Sequence, residues 1–180
     1  AINIGGSNAQ VHNAGEVWST MMWEVYIGLH KANPGKSFAE VRRSLSDYVV
    51  AGMIMTPPAP TYTEQRDAIL IAISQIDEDD FITAAEAFAR RGAGTCAVGP
   101  ERDSKDFTGI IESYDLRANA ALTSLDVGEG DDSCDGDGVI DGGESGTIAI
   151  ELFNNGVEEL PAGAKVEVLS PTPSLTFPEG

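Results

Sequence analysis

Apolar residues recur every three to four positions along the first half of the chain and begin to alternate near its end. Val17, Trp18, Met21, Met22, Val25, Tyr26 and Leu29 mark one wide face of a first helix, and Asn33-Pro34-Gly35 ends it. Ser37-Phe38-Ala39-Glu40 is a capping-box sequence, in which the serine hydroxyl and the glutamate each satisfy a backbone N–H of the opening turn. It predicts a second helix with Phe38, Val41, Leu45, Tyr48 and Val49 facing inward. Pro57-Pro58-Ala59-Pro60 stops that helix, because proline lacks the donor N–H and clashes with the preceding turn. Thr61-Tyr62-Thr63-Glu64 starts a third helix, with Ile69, Ile73 and Ile76 on its inner face. The acids Asp77 to Asp80 precede a fourth, Phe81 to Arg91, whose Arg90-Arg91 end suits the helix dipole, and Gly92 supplies a left-handed cap.

Beyond Gly92 the helical period stops, and Gly, Asp and Ser dominate. Thr147 to Phe153 places Ile148, Ile150 and Leu152 on one strand face, Asn154-Asn155-Gly156 reads as a turn, and Lys165-Val166-Glu167-Val168 alternates again. About four strands are expected, against roughly seven in a complete sandwich. The predicted fold class is α+β: mainly an α-helical bundle, followed by a partial antiparallel Ig-like β-sandwich. The predicted division is residues 1–117 for the helical part and 118–180 for the β-module.

Charge sharpens that division. Residues 1–100 hold 7 basic and 11 acidic side chains, a balance of −4, whereas residues 101–180 hold 4 and 18, a balance of −14. Phosphate neutralisation needs clustered Lys and Arg, so nucleic acid is excluded as a partner. The acidic half suits cation binding or, more blandly, solubility. The longest apolar runs, Tyr48 to Met55 (broken by Gly52) and Ala68 to Ile73, fall short of a membrane span. The chain opens on Ala with no charged start and apolar block, so it is expected to be a processed or excised piece. Cys96 and Cys134 are too far apart for a C-x-x-C pair. If they pair, the link closes a loop of 38 residues and implies an oxidising compartment; the other reading is two unpaired buried thiols.

The chain has two histidines, and one of them, His12, stands at the mouth of the first helix, whose buried face is expected to carry Trp18 and Trp23. Val11-His12, Gly15-Glu16-Val17-Trp18 and Met22-Trp23-Glu24-Val25-Tyr26 resemble the C-terminal helical half of fungalysin-type zinc metallopeptidases. Gln65-Arg66-Asp67-Ala68-Ile69-Leu70 and Ala87-Phe88-Ala89-Arg90-Arg91-Gly92-Ala93-Gly94 resemble two further blocks of that family, in the same order. The resemblance implies a thermolysin-like architecture. There, two histidines of H-E-x-x-H and a glutamate on a later helix hold Zn2+, and the motif's own glutamate activates the zinc-bound water. This sequence contains neither H-E-x-x-H nor the family's glutamate–glycine–tryptophan–serine–aspartate segment, and both are expected upstream of Ala1.

By position, the resemblance makes His12 the catalytic candidate, a transition-state histidine donating to the oxyanion that forms on the metal. Residues 1–15 contain no acid to orient it, so Asn8 or a distant group is expected to serve. His30 reads as a cation near a helix C-terminus. Glu16 and Glu24 share a helix and are expected to be solvated or to cap neighbours.

Ser133-Cys134-Asp135-Gly136-Asp137-Gly138-Val139-Ile140-Asp141-Gly142-Gly143-Glu144 fits the EF-hand loop, in which hard oxygens of alternate residues surround Ca2+. Ser133, Asp135, Asp137, Val139 (through its carbonyl), Asp141 and Glu144 are the candidate metal ligands, with Ser133 where aspartate is usual. A strand follows at once and no long helices flank the loop, so the Ca2+ is expected to be structural, as in extracellular β-sandwich modules that open on such a loop.

Together these readings predict part of a secreted, extracellular zinc endopeptidase. It would form one wall of the cleft, partnered by the N-terminal zinc-binding half, acting on protein or peptide substrates, and inactive alone. The alternative is a non-catalytic, calcium-stabilised extracellular binding or adhesion module. A nucleophilic hydrolase is excluded, since Cys96 has no histidine nearby in sequence and no G-x-S-x-G occurs.

Overall fold

The computed structural model describes residues 10–133, 135–137 and 139–169, without the side chain of Val11. Its elements are α1 (Val11–Ala32), α2 (Phe38–Met55), α3 (Tyr62–Ser74), α4 (Glu78–Arg90), β1 (Ala120–Glu129) and β2 (Gly146–Asn154). The fold class is α+β and mainly helical, as the pattern predicts. The chain divides into two compact units, one drawn from 1–119 and Asn154–Glu159, the other from Ala120–Phe153 and 160–180.

The capping chemistry is where the sequence places it. Ser37 and Thr61 each accept from the backbone three residues on, and Glu40 and Glu64 return to the cap N–H groups. α4 starts earlier than predicted. Asp77 caps it by accepting from the Asp80 N–H, and Glu78, Asp79 and Asp80 form its first turn, where the dipole favours acids. Gly92 has φ of +77°, the left-handed conformation that a helix-ending residue needs.

In the first unit α1 packs on α4 and α2 on α3, around Val25, Leu29, Val41, Ile69, Leu70, Ile73 and Phe88. α2 and α3 meet at Gly52, where an added Cβ would lie 2.9 Å from the Ile69 Cα. Several predicted inward residues lie elsewhere. Val17 is 48% exposed, Trp23 58%, Phe38 62% and Ile76 65%. Trp18 is half-buried and stacks between Tyr62 and Phe88, each ring centre 6.1 Å away. Trp23 and Phe38 instead flank Tyr26, forming a surface aromatic cluster with His30. Ile76 lies beyond the last turn of α3.

Two polar groups inside this unit carry its tertiary order. Asp80 is buried and accepts from Tyr48 Oη at 2.8 Å and Asn33 Nδ2 at 2.8 Å, with Lys36 Nζ 3.8 Å away. Arg66 is buried against Asp67 and donates to the carbonyls of Ala93 and Gly94. The segment after α4 then pairs with the strand-like run ahead of β1: Gly94 N–H to Ser113 O at 2.7 Å, Ser113 N–H to Gly92 O at 2.8 Å and Thr95 N–H to Asp115 O at 2.9 Å.

The second unit holds one two-stranded antiparallel sheet, β1 beside β2, with Gly130 N–H bonded to Ser145 O where the strands join. The predicted strand at Thr147 to Phe153 is β2. Lys165 to Val168 carries no strand, so the described residues hold two strands and not the larger set expected of a sandwich. The Asn154-Asn155-Gly156 turn is not a hairpin either. The backbone bends at residues 156–158, and Asn155, 2% exposed, donates to Asp67 Oδ1 at 2.8 Å and accepts from Asn119 Nδ2 at 2.9 Å. Among the described residues no helix is long and apolar enough to cross a membrane.

Candidate functional site

His12 occupies the first turn of α1 and is exposed. Gln10 caps this helix in place of the usual short polar residue: its Oε1 accepts from the His12 N–H at 2.8 Å and the Asn13 N–H at 3.1 Å. The other end of the same amide, Nε2, lies 2.6 Å from His12 Nδ1. The expected partner Asn8 lies outside the described residues. Gln10, two residues before His12 in sequence, is the contact that sequence reasoning missed, because no local pattern shows which way its amide turns.

His12 shares the solvent side of α1 with Gly15, Glu16, Ser19 and Trp23, all exposed. Glu24 is held by Arg90 Nε at 3.1 Å and Arg91 Nε at 3.4 Å, so it fastens α1 to the end of α4. A cavity of about 140 Å³ opens on a different side, lined by Asn13, Val17 and Met21 of α1 with Tyr62, Phe107 and Ile110. At 3.6 residues per turn that side is roughly 150° round the helix from His12. Burial pushes the Tyr62 hydroxyl above its ordinary pKa, and it donates to Ala14 O at 2.9 Å.

The chain's own residues do not fit the zinc that the family resemblance implies. His12 and His30 stand at opposite ends of α1, about 27 Å apart at 1.5 Å per residue, whereas a shared zinc holds each nitrogen at about 2.0–2.1 Å. Among the described residues the group of potential metal-binding side chains that comes together is Glu129, Asp135 and Asp137, without a histidine.

That group lies at the candidate calcium loop. Ligand oxygens of Glu129, Asp135 and Asp137 are all within 4.8 Å of one another, the spacing of donors about 2.3–2.6 Å from a common Ca2+. Ser133 Oγ donates to Glu129 Oε2. The Val139 N–H donates to Asp137 Oδ1 at 2.8 Å, and Gly136 turns with φ of +67°. Glu144 accepts from the Asp141 N–H at 2.9 Å, so these two predicted ligands close a turn of their own. Glu129, on β1, was not among the predicted ligands, because it precedes the motif. Beside the loop, bonds from Ser145 hold the Asp132 carboxylate below its ordinary pKa. Cys96 is exposed and not a buried thiol as one of the two readings has it; the other reading, a pairing with Cys134, lies outside the described residues, as does Gly138.

The combination defines a mainly helical α+β protein with one exposed, amide-held histidine and, among the described residues, no histidine-containing zinc-ligand set. The family model for the fungalysin metallopeptidases (M36) matches residues 2–97, and the chain belongs to that family. It is 32% identical over 111 residues to extracellular metalloproteinase 3 of Arthroderma otae, covering 56% of this chain and 17% of that protein. The namesakes in Trichophyton rubrum and Trichophyton soudanense are each 34% identical over 111 residues, again 56% of this chain, with 17% and 28% of those proteins covered. The chain thus spans well under a third of the length of these relatives. No solved structure matches it.

Proposed function

We propose that this chain is the cleft wall of a secreted, extracellular fungalysin-type zinc endopeptidase. It supplies His12 as the transition-state donor opposite a separate H-E-x-x-H half that binds Zn2+. Proteins or peptides are the substrates, and these 180 residues alone are inactive. The observation that carries the reading is the family match over residues 2–97 together with an exposed His12 on a side of α1 that the other helices leave open. A fixed donor at a developing oxyanion is worth about 3–4 kcal/mol, or about 10²–10³ in rate.

The test is a fluorogenic-peptide assay on the enzyme that joins this chain to its zinc half. His12→Ala lowers kcat by about 10²–10³ with little change in KM. An unchanged kcat, or peptide hydrolysis by the 180-residue chain with Zn2+ alone, refutes the reading.

Residues 118–180 are proposed as an accessory module whose loop takes a structural Ca2+. Glu129, Asp135 and Asp137 support this reading, with Ser133, the Val139 carbonyl, Asp141 and Glu144 as further oxygens of the EF-hand-like pattern. The non-catalytic binding module accounts for this loop and leaves the family match unexplained.

A further inference from the structure

Gln10 does more than cap α1. Its Oε1 accepts two backbone N–H groups, from His12 at 2.8 Å and Asn13 at 3.1 Å. Those two bonds fix which end of the amide is oxygen, so the group facing His12 Nδ1 at 2.6 Å is the NH2. An amide NH2 has hydrogens to give and no lone pair to offer. Nδ1 must therefore accept, and a neutral imidazole that accepts at Nδ1 carries its proton on Nε2.

We infer that Gln10 is a positioning residue that locks neutral His12 in the Nε2–H tautomer and presents that N–H as an outward donor. A carboxylate in the same place would do the reverse. It accepts only, so Nδ1 would hold the proton, and Nε2 could donate only from a charged ring. With an amide there, the donor exists without charging the ring. One residue thus sets the helix start and the chemistry of the ring two positions on. The catalytic consequence rests on the role proposed above for His12; the tautomer assignment does not.

The test is long-range proton–nitrogen NMR of the 15N-labelled 180-residue chain, at a pH where both imidazoles are neutral. Only His12 and His30 contribute ring signals, and a His30→Gln variant assigns them. In the native chain His12 is expected to show the Nε2–H pattern. Gln10→Glu keeps the acceptor for both backbone N–H groups and cannot donate to Nδ1, so His12 is expected to shift to the Nδ1–H pattern. Unchanged His30 signals report that the fold is intact. A native Nδ1–H pattern, or a His12 tautomer that Gln10→Glu does not alter, overturns the inference. If the tautomer responds as expected while His12→Ala spares kcat in the joined enzyme, the role of His12 fails and the Gln10 assignment stands.

Discussion

Replacing Arg66 by Met should unfold the helical unit far more easily than its size change suggests. Arg66 is 3% exposed. Its Nε and Nη2 lie 2.8 and 2.7 Å from Asp67 Oδ1, and its Nη1 donates to Ala93 O at 3.1 Å and Gly94 O at 2.7 Å. Methionine keeps the apolar stem and removes every donor. Asp67 is then left with the Asn155 amide, the Ala93 carbonyl loses the Arg66 donor, and the Gly94 carbonyl keeps only the Ala97 N–H at 3.0 Å. Breaking a buried pair from one side costs about 3–5 kcal/mol. The Asp67 side chain retains 21% exposure, which favours the lower part of that range, about 3–4 kcal/mol. For a chain of this size each kcal/mol shifts Tm by about 2–4 °C, so a fall of about 6–16 °C is expected. Urea unfolding followed by tryptophan fluorescence is the assay, since Trp18 and Trp23 both lie on α1. Arg66→Lys should fall between, because an ammonium lacks the fork that reaches carboxylate and carbonyls together. The double variant with Asp67→Asn should cost at least about 1 kcal/mol less than the sum of the singles. A cost below about 1 kcal/mol for Arg66→Met, or one that disappears in about 0.5 M salt, would show that the pair is a screened surface contact.

Tyr48→Phe removes a donor to the buried Asp80 carboxylate and should cost about 1.5–3 kcal/mol at neutral pH. Burial, then the bond to Asp80, raises the Tyr48 pKa above its ordinary 10.0. A raised folded pKa contributes stability that is full below the unfolded value and is lost as pH climbs towards the folded one. Native stability should therefore decline above about pH 10, and more shallowly in Tyr48→Phe; equal alkaline slopes in a pH-stepped melt would contradict this. Gly52→Ala should destabilise by about 1–3 kcal/mol, although alanine is the better helix former, because its methyl meets the Ile69 backbone; a stabilised variant in urea would show that α2 and α3 are free to separate. Calcium at about 100 times its Kd should raise stability by about 2.7 kcal/mol, and Asp135→Asn with Asp137→Asn should abolish that gain in calorimetry and melting. No calcium effect on the native chain would remove the structural ion.

Elements whose signals are local were legible in the sequence. Both capping boxes, the proline stop and the Gly92 cap act within a few residues, and four helices form in the predicted order, although α4 takes its acids into its first turn and so starts ahead of Phe81. Which side of each helix is buried was less legible, since Phe38 and Trp23 satisfy the helical period and yet pack on one another's neighbours at the surface. β1 was missed because Ala120–Glu129 mixes small, polar and apolar residues without a sustained alternation, and its pairing with β2 is supplied by a strand some twenty residues on. The neighbours of Asn155 predict a turn. Its role depends on Asp67, 88 positions away, and no local pattern carries that. Gln10 escaped for another reason: the cap, the amide orientation and the imidazole partner are one geometry, visible only with all three distances together.

Gly15 and Gly52 both lie inside helices, in opposite surroundings. Gly52 has a reason within the chain, because the Ile69 backbone stands where a Cβ would be. Gly15, on the exposed side of α1 one turn from His12, has no heavy atom within 4 Å of its Cβ position among the described residues. Glycine costs a helix about 1 kcal/mol against alanine, and here no contact offsets that cost. In the isolated chain Gly15→Ala should therefore stabilise by about 0.5–1 kcal/mol. If α1 is a cleft wall, the space beside Gly15 is filled only when the zinc half or a substrate backbone comes close. The same variant should then weaken assembly or raise KM in the joined enzyme while improving the chain alone. Opposite signs in urea unfolding and in peptide hydrolysis would mark this turn as a contact surface. A variant that stabilises the chain and leaves hydrolysis untouched would mean that nothing approaches α1 there, and His12 would lose its place at the cleft.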